Sequence, residues 1–77
     1  MSITLYTQPA CVKCNATRSY LDKLQLSYQV IDVTKDPEAH AFVTSLGYKM
    51  APVVVAGDEH WSDFRVDRIL ALKKSAA

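Results

Sequence analysis

Between Ile3 and Val33 the chain changes hydrophobic period twice, and this constrains the fold more than any other feature. Ile3-Thr4-Leu5-Tyr6 is a short β-prone run. Thr7-Gln8-Pro9-Ala10 follows as a loop, and Pro9 disfavours helical backbone at Gln8, so no helix begins before it. From Cys11 the pattern turns helical: Ala16, Tyr20 and Leu24 recur one turn apart with Leu21 beside them, while Lys13, Arg18, Asp22 and Lys23 fill other positions. Tyr28-Gln29-Val30-Ile31-Asp32-Val33 returns to a strand. Strand, helix and strand within about 30 residues predict a right-handed βαβ unit with parallel strands.

The remainder extends this unit. Asp36-Pro37 starts a second helix, with Asp36 as N-cap and Pro37 in the first helical position. Ala39, Phe42, Val43 and Leu46 mark its apolar face, and Gly47 stops it. Tyr48-Lys49-Met50-Ala51 leads into Pro52. Val53-Val54-Val55-Ala56 reads as a strand covered on both faces, and Gly57-Asp58 turns it into an antiparallel edge strand, Glu59-His60-Trp61. Ser62 or Asp63 is expected to cap a last helix with Val66, Ile69 and Leu70 on its apolar face, ending in a frayed tail at Ser75-Ala76-Ala77. The order is β-α-β-α-β-β-α: an α/β fold with a four-stranded mixed sheet and three flanking helices. The expectation is one domain over residues 1–77, since a chain of 77 residues buries a thin core and leaves no room for a second.

Composition narrows the function. The net charge is +1 with both signs interspersed, so nucleic-acid binding has no electrostatic support. No apolar run approaches the roughly 18 residues of a membrane span, and Met1-Ser2-Ile3-Thr4 lacks the basic start and apolar stretch of a secretory signal. A cytoplasmic location is expected. In that reducing compartment two cysteines point to reactivity or metal rather than a permanent staple.

Cys11-Val12-Lys13-Cys14 opens the first helix. A pair at this spacing lets two sulfurs bond, and the first lies where free N–H groups and the helix dipole favour a thiolate. Lys13 adds a positive charge acting in the same sense. Cys11, outermost, is the expected nucleophile. Cys14, inside the first turn, is the expected resolving thiol. A metal site is the competing reading, but the other soft ligands, His40 and His60, lack finger spacing, and no metal is expected. Both histidines read as surface residues. Tyr6, Tyr28 and Tyr48 read as core or rim aromatics.

Three segments together give the chain a specific likeness: Thr4 to Thr17 around the cysteines, Ala51-Pro52-Val53-Val54-Val55, and His60-Trp61-Ser62-Asp63-Phe64-Arg65. Over nearly its whole length the chain resembles the NrdH-redoxins, glutaredoxin-like proteins of the thioredoxin superfamily. The resemblance implies a thioredoxin fold and a small dithiol–disulfide oxidoreductase with no bound cofactor. Its electrons would come from NADPH through thioredoxin reductase and pass to the large subunit of a class Ib ribonucleotide reductase. It also implies a cis peptide bond at Pro52 facing the cysteines, and pairing of the Ala51 backbone with a substrate strand. Val12 and Lys13 beside the nucleophile, and Trp61, Ser62, Phe64 and Arg65 at the start of the last helix, complete the expected substrate-binding and supporting set. Arg65 is expected to hold the Trp61 segment by hydrogen bonds, while Trp61 and Phe64 read equally as recognition aromatics or as core cover.

Lys13, Asp63 and Val66 depart from the family pattern, which usually has Gln, Gly and Pro there. Asp63 would be strained if that glycine needs a positive φ; as an N-cap it would not, and the capping role is the expected one. The Gly-Gly turn of glutaredoxins is missing from the Trp61 segment, which argues against a glutathione- or mycothiol-dependent glutaredoxin, the main alternative. A monomer is expected.

Overall fold

The computed structural model describes residues 2–76; Met1 and Ala77 lie outside the described residues. Seven elements follow the predicted order: β1 (Ile3–Thr7), α1 (Val12–Lys23), β2 (Gln29–Asp32), α2 (Pro37–Ser45), β3 (Val53–Ala56), β4 (Glu59–Ser62) and α3 (Val66–Ala76). Of the expected frayed tail, Ser75 and Ala76 belong to α3 and Ala77 is not described.

The sheet runs β2-β1-β3-β4. β1 pairs parallel with β2 and antiparallel with β3, with Leu5 opposite Val30 on one side and Val54 on the other. The β3–β4 hairpin closes through two residues, Gly57 and Asp58, with Ala56 opposite Glu59. Gly57 has φ +60°, the positive value that primed hairpin turns need at their first central position.

Strand alternation assigns the faces. Ile3 and Leu5 of β1, Val54 and Ala56 of β3, and Trp61 of β4 point to one side, where Leu21 of α1 and Ile69 and Leu72 of α3 complete the core. The opposite face is covered by α2, which buries Ala39 and Val43 and sets Phe42 against Tyr6 with ring centroids 5.8 Å apart.

Local chemistry explains the helix ends. The Asp36 carboxylate accepts the Ala39 N–H at 3.1 Å, and Pro37 opens the first turn of α2. At its other end Tyr48 N–H donates to the Val43 carbonyl and Gly47 N–H to that of Thr44, a Schellman motif with Gly47 at φ +96°. A Cβ at Gly47 would meet nothing within 4 Å, so backbone conformation rather than space selects glycine. α1 ends the same way with Gln25 at φ +59°, and its Leu26 and Leu21 meet in the core.

Three sequence expectations change. The buried line of α1 is Cys14, Thr17 and Leu21, while Ala16, Tyr20 and Leu24 are half-buried beside it. Thr17 escaped notice because it is polar; its hydroxyl is silenced by donating to the Lys13 carbonyl at 2.8 Å. On α2, Phe42 is 41% exposed rather than core. On α3 the inward residues are Ile69 and Leu72, and Leu70 is 41% exposed. The expected cap of α3 also fails: Ser62 is the last residue of β4, and α3 begins only at Val66, with Ile69 N–H bonding the Arg65 carbonyl.

Candidate active site

Cys11 is the N-cap of α1, in extended backbone at φ −107°, ψ 105°, and its sulfur accepts the Cys14 N–H at 3.1 Å. Ala10, at φ +55°, turns the chain out of β1 into this position. The two cysteines are joined as a disulfide with Cα atoms 5.2 Å apart. Their environments differ: Cys11 is half-buried, whereas Cys14 is 3% exposed on the core side of α1. An extended cap followed by a helical turn presents one sulfur outward and keeps its partner behind it. Val12, on the solvent side of the same turn, is 82% exposed.

The Ala51–Pro52 peptide bond is cis. Pro52 is buried at the start of β3, and its carbonyl accepts the Asp63 N–H at 3.0 Å, tying the loop ahead of β3 to the β4–α3 turn. Lys13, Met50, Ala51, Ser62 and Asp63 line a shallow hollow of about 180 Å³. Met50 is 75% exposed on its rim and carried no signal beyond its place next to Ala51-Pro52. A larger cleft of about 370 Å³ lies toward α2, between Tyr6, His40, Tyr48 and Ala51. His60 is exposed and shares a 2.6 Å hydrogen bond between its Nδ1 and the Tyr48 hydroxyl.

The last segment is rearranged relative to expectation. Trp61 is 3% exposed and paired across the hairpin with Val54, so it supports the site from within the core and presents no recognition surface. Phe64 is half-buried, with its ring edge-on to Tyr20 at 6.1 Å. Arg65 does not hold the Trp61 segment: its guanidinium forks onto the Asp67 carboxylate at 3.0 and 3.2 Å, which raises its own pKa and holds the Asp67 carboxyl low. The guanidinium lying over the Trp61 ring, 5.6 Å from its centroid, belongs to Arg68, one helical turn on.

Asp63 takes φ +76°, the conformation its glycine-like position requires, and does not cap α3. Its carboxylate accepts the Phe64 N–H at 2.8 Å and pairs with the Lys13 ammonium at 3.0 Å. The Lys13 hydrogen bond first, then the Phe64 amide, hold the Asp63 carboxyl below the usual carboxylate range. Lys13 therefore does not stand as a free charge beside the cysteines.

Among the described residues no three His, Cys, Asp or Glu side chains converge to hold a metal ion, and no helix is long and apolar enough to cross a membrane. The arrangement is suited to thiol–disulfide exchange: an outward sulfur at a helix N-terminus, a shielded partner sulfur, and a hollow beside the CxxC turn lined by Lys13, Met50 and Ala51.

Comparison with known proteins agrees. The glutaredoxin family pattern matches residues 3–61. The chain is similar to the glutaredoxin-like protein NrdH of Escherichia coli K12, 41% identical over 69 residues that span 90% of this chain and 85% of that one. It is 26% identical over 70 residues to NrdH of Lactococcus lactis subsp. cremoris, spanning 91% and 97% of the two chains. Among solved structures, the NrdH-redoxin of Escherichia coli, a glutaredoxin-like protein described for its thioredoxin-like activity profile, superposes with a TM-score of 0.90 at 40% identity over 94% of this chain and 95% of that one. A glutaredoxin of Archaeoglobus fulgidus, 23% identical, shares the fold at a TM-score of 0.77 over 92% and 84% of the two chains.

Proposed function

The chain belongs to the glutaredoxin family, within its NrdH-like branch of thiol–disulfide oxidoreductases, and from that premise we propose that it is a single redox domain, residues 1–77, that carries electrons from thioredoxin reductase to a class Ib ribonucleotide reductase. The observation that carries the reading is the asymmetry of the pair: Cys11 is presented at the mouth of α1 and Cys14 is enclosed behind it.

In the reduced protein the Cys11 thiolate, favoured by the free N–H groups of the first turn, attacks one sulfur of the target disulfide. That bond breaks, a Cys11–target disulfide forms, and the departing target sulfur takes up a proton. Cys14 then loses its proton and attacks the Cys11 sulfur, releasing the second target thiol and closing the Cys11–Cys14 disulfide. Two electrons have passed to the target. NADPH restores them through thioredoxin reductase, and no cofactor is bound by this chain.

The Ala51 backbone ahead of Pro52 receives the target segment as an added strand, giving main-chain affinity beside the reactive sulfur. Val12 and Met50 offer exposed apolar contact, Lys13 and Ser62 border the hollow, Trp61 and Phe64 support that wall from behind, and Arg65, turned onto Asp67, stands outside it. The protein acts as a monomer in the cytoplasm.

A thioredoxin-type reductant is favoured over glutathione or mycothiol by the relative's thioredoxin-like activity profile. It is also favoured by the Trp61-Ser62-Asp63 segment standing where a Gly-Gly turn would cradle a small thiol. The test compares NADPH consumption with a protein disulfide in two assays, one containing thioredoxin reductase and the other glutathione with its reductase. Turnover with thioredoxin reductase is expected. Turnover confined to the glutathione assay would overturn the choice of reductant.

A further inference from the structure

Lys13 and Asp63, two departures from the NrdH-redoxin pattern, meet across the site at 3.0 Å although they are far apart in the chain. Asp63 is held in a backbone conformation that costs a side chain free energy, at φ +76°. Three contacts hold it there: its N–H on the Pro52 carbonyl, its carboxylate on the Phe64 N–H, and the same carboxylate oxygen on the Lys13 ammonium. One residue thus connects the cis-proline strand to the position between the two cysteines.

We propose that Asp63 is a positioning residue that holds the Lys13 ammonium away from Cys11, so that the Cys11 thiol is less acidic than a helix mouth with a free neighbouring lysine would make it. This rests on the reading of Cys11 as nucleophile. Lysine is a point charge on a flexible stem, so an ammonium released from Asp63 can turn toward a thiolate two residues away. The charged groups around this corner are Lys13 from α1, Lys49 from the loop ahead of Pro52, and Asp63 and Arg65 from the β4–α3 turn. Arg65 is engaged by Asp67, and Lys49 lines the cleft toward α2. Lys13 is the cation whose partner decides where its charge falls. The side chains of the pair are 64% and 53% exposed, so the effect is modest, about a threefold change in thiolate fraction below the midpoint.

The test uses the reduced full chain, iodoacetamide as probe, alkylation rate against pH, and mass spectrometry to assign the modified cysteine. Asp63→Asn keeps an acceptor for the Phe64 N–H and tolerates positive φ while removing the charge, and Asp63→Gly checks the result with the residue best suited to that backbone. Both are expected to move the Cys11 midpoint down, with about threefold more thiolate below it, and high salt should shrink the difference. Lys13→Gln is expected to move the midpoint up. In the Lys13→Gln background Asp63→Asn should change far less than in the wild type, because its route to the sulfur is gone. An equal shift in both backgrounds, an upward shift, or none in either would overturn the positioning role alone. Alkylation of Cys14 in place of Cys11 in the wild type would overturn that role together with the nucleophile assignment.

Discussion

Leu70 and Leu72 are chemically identical, two positions apart on α3, and the structure gives them opposite consequences. Leu72 is 2% exposed and belongs to the core cluster with Leu21, Trp61 and Ile69; Leu70 is 41% exposed on the solvent side. Leu72→Ala removes three buried carbons at about 0.8 kcal/mol each. The cavity left beneath α3 adds to this, for an expected loss of about 3 kcal/mol. Leu70→Ala deletes carbons that water already reaches, opens no enclosed cavity, and gains slightly in helix propensity, so its loss is expected below about 1 kcal/mol. A domain of this size loses roughly 4–8 °C in melting temperature per kcal/mol, so the two variants should melt at least about 8 °C apart. Urea titration should show the same order in the midpoint with an unchanged slope. Equal losses, or a larger loss from Leu70→Ala, would refute the assignment of the inward face of α3.

Asp36→Ala removes the acceptor of the Ala39 N–H and should lower stability by about 1 kcal/mol in urea, with Asp36→Asn recovering most of it. Asp32, Asp63 and Asp67 are held below the usual carboxylate value of 3.8, first by the Thr34 hydroxyl, the Lys13 ammonium and the Arg65 guanidinium respectively. Because folding lowers these values, their stabilisation is complete above pH 3.8 and is lost as pH falls below it; a urea midpoint that held constant or rose on acidification through that range would contradict the sign. Cys11→Ser should abolish reduction of a protein disulfide, and Cys14→Ser should accumulate a covalent mixed disulfide visible on a non-reducing gel. Normal turnover by Cys14→Ser would defeat the two-cysteine mechanism.

Much of the fold was legible because its signals are local. The Asp36-Pro37 start, the Gly47 stop and the Gly57-Asp58 turn each express a backbone requirement satisfied within a few residues, and all three stand where the sequence reading put them. The element order followed from alternating hydrophobic periods. What misled was inferring burial from apolar character. Thr17 is buried because it lies three residues after Cys14 and four before Leu21 on the inward line, with its hydroxyl satisfied by its own helix. Leu70 and Phe42 are apolar yet 41% exposed, since each stands beside the inward line of its helix, which is Ile69 and Leu72 on α3 and Ala39 and Val43 on α2.

The candidate site divides along the same boundary. The cysteine spacing and the break at Pro9 were enough to determine a reactive pair at a helix mouth, because capping and dipole effects act within one turn. Which side chain meets which across the site was decided only by the closed sheet. β3 and β4 bring Asp63 to the CxxC turn, where it engages Lys13 and bonds Pro52 through its backbone, and they bury Trp61 beneath Arg68 instead of Arg65. Such pairings depend on where distant strands place their ends and on which rotation packs each helix, and neither is encoded in the neighbours of any single residue.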